Sequence, residues 1–75
     1  MRKNVTVTAR MIENGSVVPL EIIWDDGRVF SIDKILDKRK ASSTKGGGCG
    51  MRYTIRISGQ EKFLFLDDNI WFVEI

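Results

Sequence analysis

Val5-Thr6-Val7-Thr8-Ala9-Arg10-Met11-Ile12-Glu13-Asn14-Gly15 alternates apolar and polar residues and then reaches a turn signal. Val5, Val7, Ala9 and Met11 fall on one face, with Thr6, Thr8 and Arg10 on the other. That is the period of a half-buried strand. Asn14 and Gly15 both tolerate the positive φ of a tight hairpin, so the chain turns back on itself. A strand followed by such a turn sets the expectation of antiparallel β-structure.

Outward from there the pattern holds. Val17 to Trp24 is the return strand, with Val18, Leu20, Ile22 and Trp24 on one face. Pro19 cannot donate to a ladder, so this strand starts at an edge or bends near its beginning. Asp25-Asp26-Gly27-Arg28 is the next turn, and Val29 to Ile32 follows as a third strand. Ile32, Ile35 and Leu36 suit either one helical turn, capped by Ser31 or Asp33, or a strand with a bulge that flips the alternation. The bulged strand, running on through Lys38 and Lys40, is preferred because a one-turn helix buries little.

Beyond residue 50 the alternation returns: Met51, Tyr53, Ile55 and Ile57 against Arg52, Thr54, Arg56 and Ser58. Gly59-Gln60 and Asp67-Asp68-Asn69 read as turns. Phe63-Leu64-Phe65-Leu66 is apolar on both faces, which marks a central strand or one with a covered outer face. Ile70 to Ile75 closes the series. The expected fold is all-β: a small antiparallel meander curled into a five- or six-stranded barrel of the SH3-like or OB-like kind. Curling removes exposed strand edges from so short a chain.

Seventy-five residues make a single domain, 1–75. A chain of this length buries only about 60% of the surface its unfolded form exposes, so its core is small. The lone Cys49 permits no intrachain disulfide, which favours a reducing, cytoplasmic setting. Arg2 and Lys3 precede an alternating strand and not a continuous apolar block, so no signal peptide is expected, and no run reaches bilayer-spanning length.

The charge is unevenly spread. Residues 34–56 carry seven cations against Asp37 alone, a net +6, whereas residues 1–33 sum to −1 and residues 57–75 to −3. Most of the positive middle surrounds a flexible basic Gly-rich loop expected at about 38–50, Lys38-Arg39-Lys40-Ala41-Ser42-Ser43-Thr44-Lys45-Gly46-Gly47-Gly48-Cys49-Gly50. A basic segment of this kind faces polyanions. The expected partner is single-stranded nucleic acid, with Lys38, Arg39, Lys40, Lys45, Arg52 and Arg56 on phosphates. Gly46, Gly47 and Gly48 are candidates for an anion-binding nest of backbone N–H groups. The segment is not a strand–GxxxxGK[ST]–helix loop, because the lysine precedes the glycines and a strand follows. The alternative is a protein-interaction or self-associating module, a homodimer for example, driven by the two-sided apolar strand Phe63–Leu66.

Catalysis is not expected. The chain has no histidine, and a single cysteine makes no structural zinc site. Asp25-Asp26 and Asp67-Asp68 occupy turns, where aspartate is a turn former. No catalytic residue, metal site or cofactor is assigned.

Pro19-Leu20-Glu21-Ile22-Ile23-Trp24-Asp25-Asp26-Gly27-Arg28-Val29-Phe30-Ser31-Ile32 resembles a pattern in small bacterial β-proteins of uncharacterised function: an apolar strand leading to Trp, a Gly-Arg turn and an aromatic-x-aliphatic strand. Gly50-Met51-Arg52-Tyr53-Thr54-Ile55-Arg56-Ile57, Leu64-Phe65 and Trp71-Phe72-Val73-Glu74 are similar to the later part of such proteins. The resemblance rests on core and turn positions. It implies a small barrel-like fold and assigns no site.

Overall fold

Asn14-Gly15 does close a hairpin in the computed structural model, which describes residues 2–42 and 49–74. Gly15 takes φ 87°, its N–H donates to the Ile12 carbonyl, and the Ser16 N–H donates to Asn14 Oδ1. The strands are β1 (Arg2–Met11), β2 (Val17–Ile23), β3 (Val29–Ser31), β4 (Lys34–Ser42), β5 (Cys49–Ile57), β6 (Gln60–Asp67) and β7 (Ile70–Glu74). They form one antiparallel sheet in the order β3-β2-β1-β7-β6-β5-β4. The described residues hold no helix long and apolar enough to cross a membrane.

The expected five or six strands are therefore seven, and the barrel is an open, curled half-barrel. Both corrections have one cause. The third expected strand breaks at Ile32-Asp33: the Ile32 N–H donates back to Leu20 on β2, and the Asp33 N–H donates forward to Arg56 on β5. β3 thus ends one edge of the sheet and β4 begins the other. The two edges are joined by the chain at this corner and part company beyond it. Asp33 also fixes the neighbouring turn, its Oδ2 accepting the Ser58 N–H at 3.0 Å.

The bulge is present. The β4–β5 register shifts between Ile35 and Asp37, so Leu36 is the extra residue and the alternation flips. A second bulge on β2, opposite Thr8 and Ala9, changes another expectation. Leu20 is left half-exposed, while Pro19 is fully buried. Pro19 lies on a stretch of β2 that β3 does not reach, since β3 pairs only with Glu21 to Ile23, so the strand begins at an edge and bends at the Leu20 bulge as its proline requires. Of the later turns, Ser58-Gly59 falls one residue before the expected Gly59-Gln60, while Asp68-Asn69 lies within the expected Asp67-Asp68-Asn69; both have positive φ, as two-residue hairpin loops require.

β1 is shared, pairing with β7 over Arg2–Val5 and with β2 over Thr6–Met11. The sheet folds over along this strand, so the inner faces of β2 and β5 approach each other. Between them lies the core of Ile22, Tyr53, Ile55, Ile57, Leu64 and Val73, flanked by Val5, Val7, Trp24, Phe30 and Trp71. In a flat sheet β2 and β5 would stand about 19 Å apart. Here Tyr53 on β5 reaches Val17 on β2.

Candidate nucleic-acid interface

Strand alternation decides where the basic residues point. Lys38 pairs with Tyr53 and Lys40 with Met51, which places both on the inner face, at its rim. Lys38 Nζ sits 5.5 Å from the Tyr53 ring centroid. Arg39 pairs with Arg52, and Arg56 with Lys34, on the outer face. The consecutive run Lys38-Arg39-Lys40 is therefore split between two surfaces. Lys45, Gly46, Gly47 and Gly48 lie outside the described residues, while Lys38 to Ser42 and Cys49 to Gly50, expected in the loop, belong to β4 and β5.

The outer face carries something else. Cross-strand pairing runs Arg39–Arg52–Phe65–Phe72–Asn4 in one row over β4, β5, β6, β7 and β1. Phe65 and Phe72 are stacked, with centroids 5.0 Å apart and planes within 6°. The Arg2 guanidinium covers Phe72 at 3.9 Å, and that of Arg52 lies 4.8 Å from the Phe63 centroid. Phe72 is buried under this cover, while Phe63 is 51% exposed. Cations held over aromatic faces shield the rings from water and are themselves attracted by the ring quadrupole.

Arg52 is the hinge of the arrangement. Its Nε is buried and has no hydrogen-bond partner among the described residues. Arg39 is engaged, its Nε donating to Asp37 Oδ2 at 2.7 Å. That hydrogen bond holds the Asp37 carboxyl below its ordinary range. Among the described residues no group of three or more His, Cys, Asp or Glu side chains is placed to hold a metal ion.

Trp24, Phe30, Tyr53 and Trp71 lie on the inner face. Phe63 and Phe65 instead face outward, beside Phe72, which is itself buried beneath Arg2. The signal was legible in the two-sided strand Phe63-Leu64-Phe65-Leu66: Leu64 pairs with Tyr53 on the inner face, which turns Phe63 and Phe65 outward.

No protein-family model matches the chain, and neither a curated protein nor a solved structure is significantly similar to it. The resemblance to small bacterial β-proteins thus gains no support from these comparisons.

Proposed function

We propose that this chain is a non-enzymatic module that binds single-stranded nucleic acid on the outer face of β5, β6 and β7. The observation that carries the reading is the row Arg39–Arg52–Phe65–Phe72 with Phe63 half-exposed beside it. Bases stack on exposed rings, and arginine serves both phosphate and base faces. The positive segment 34–56 borders this row and supplies the counter-charge to a backbone. Within the basic set, Arg39, Arg52 and Arg56 share the face with the rings, whereas Lys38 and Lys40 line the rim of the other.

The test is binding of random single- and double-stranded oligonucleotides at two salt concentrations, read by fluorescence anisotropy. Log affinity is expected to fall linearly with log salt, by about 0.7 per phosphate neutralised on a single strand. Arg39→Ala with Arg52→Ala should weaken binding more than Lys38→Ala with Lys40→Ala. Absence of binding at low salt overturns the reading.

One feature favours self-association as a second reading. The tip of the β1–β2 hairpin leaves Met11 74% and Ile12 40% exposed. A concentration-dependent mass in sedimentation, abolished by Met11→Ser, would support it.

A further inference from the structure

The corner at Ile32-Asp33 leaves the half-barrel with two unequal open edges. β3 forms one over three residues, whereas β4 runs along the other for nine. Among the described residues β4 pairs with β5 alone. A strand paired on one side presents alternate N–H and C=O groups on the other, a template for one more strand. Beyond the Leu36 bulge the β4–β5 register is regular, from Asp37 opposite Thr54 to Ser42 opposite Cys49. Lys38 and Lys40 stand two residues apart on the inner face there, where the side chains of an added strand would lie directly beside them.

The charge along this edge selects what is added. Lys34, Lys38, Arg39 and Lys40 stand against Asp37 alone, a net +3 over Lys34–Ser42. Asp37 is already taken by Arg39 at 2.7 Å. Lys38 lies over the Tyr53 ring and, like Lys34 and Lys40, forms no salt bridge among the described residues. Two further carboxylates border the strand. Asp33 at its start accepts the Ser58 N–H, and Asp68 lines a depression together with Lys40. Arg56 and Arg52, opposite Lys34 and Arg39 on β5, offset these two acids. Residues 43–48 contribute Lys45 and no acidic side chain.

A second copy is a poor match for this edge. Antiparallel pairing of β4 with its own copy about Arg39 sets Arg39 against Arg39 and Lys38 against Lys40. Like charges directly opposite destabilise a pair of strands. A strand with a carboxylate at every second position meets Lys38 and Lys40 and extends the ladder as well.

We infer that β4 accepts an extended acidic segment of another protein as an eighth strand on the seven-stranded sheet, with carboxylates beside Lys38 and Lys40. The inference does not rest on the nucleic-acid reading. The segment is read at the β4 edge and a stacked base at Phe63, so either stands if the other fails.

The probe is the fluorescein-labelled heptapeptide Thr-Glu-Val-Glu-Val-Glu-Thr, titrated into the full chain at low salt and read by anisotropy. Its comparator has the same side chains with the backbone amides N-methylated, which keeps the charge and removes the ladder donors. Saturable 1:1 binding of the first is expected, weakened by roughly tenfold in the second. The edge-facing amides among Asp37 to Lys40 should exchange more slowly in the complex. Lys38→Glu with Lys40→Glu, both at exposed positions, should weaken the acidic peptide by about tenfold. The same variant should bind the counterpart peptide in which lysine replaces glutamate. Failure to saturate overturns the inference. So does equal binding of the N-methylated peptide, which would reduce the contact to diffuse charge, or protection confined to residues around Phe63 and Phe65. A dimer in sedimentation whose edge-facing β4 amides are protected without peptide would show that a second copy occupies the edge, and would overturn it too.

Discussion

The Tyr53 hydroxyl donates to the Val17 carbonyl at 2.9 Å, a bond between two strands that are four positions apart in the sheet. Tyr53 is 1% exposed and packs its ring against Trp71, with centroids 5.6 Å apart. It therefore closes the curl twice, by its ring against one wall and its hydroxyl against the other. Tyr53→Phe keeps the ring and strands the Val17 carbonyl. A loss of about 1 kcal/mol is expected, which lowers the melting temperature by about 4–8 °C in a domain of this size. Thermal unfolding followed by circular dichroism checks it, and an unchanged midpoint would show that the hydroxyl does not hold the curl.

The same burial gives a pH signature. It raises the phenol above its ordinary value of 10.0, because the charged form is disfavoured away from water. A group whose folded pKa is raised contributes stability that is fully present below its unfolded value. That contribution is lost as pH rises through the folded value. The gap in stability between wild type and Tyr53→Phe should therefore narrow above pH 10. Urea unfolding at pH 9 and at pH 11 measures the two gaps, and equal values would contradict the linkage.

Gly50 and Gly15 are expected to respond to alanine for different reasons. A Cβ at Gly50 would stand 2.6 Å from the Leu66 carbonyl oxygen, a backbone atom that cannot swing aside. Gly50→Ala should cost about 1–3 kcal/mol by overpacking and loosen the pairing of β5 with β6. Gly15 has open space but φ +87°, so Gly15→Ala should cost about 1 kcal/mol through backbone strain alone. Equilibrium unfolding measures both. Hydrogen exchange on β6 separates them, because only the Gly50 variant should accelerate it.

Phe63→Ala tests the outer face without endangering the fold, since half of this ring is already in solvent. Oligonucleotide affinity should drop by about 1–3 kcal/mol if a base stacks on it, with little change in unfolding midpoint. Retained affinity would move the contact to another part of the chain.

β4 is an edge strand nine residues long, and its second side pairs with no described strand. Long edges template aggregation, and lysines and bulges are common protections against it. Lys38, Lys40 and the Leu36 bulge have those attributes here. Replacing Lys38 and Lys40 with Thr should raise light scattering on incubation at neutral pH without lowering the unfolding midpoint. A clear solution would show that the lysines serve another purpose.

How far the residues speak for themselves follows from the range of each signal. Alternation with period two and turns that demand positive φ are local. They placed the all-β class, the Asn14-Gly15 hairpin, the Leu36 bulge and most of the inner face. Pairing partners are not local. Nothing in Val29 to Ser42 announces that Ile32 bonds to β2 and Asp33 to β5, yet that divergence sets the strand count and leaves the barrel open. A bulge elsewhere in the pair, as at Leu20, shifts the phase of a strand whose own residues look regular. The basic run shows the same limit. Composition groups Lys38, Arg39 and Lys40 by proximity along the chain, but a strand sends neighbours to opposite faces. Only register across β5 and β6 brings Arg52 to Phe63 and Phe65, because that meeting depends on hydrogen bonds between distant segments.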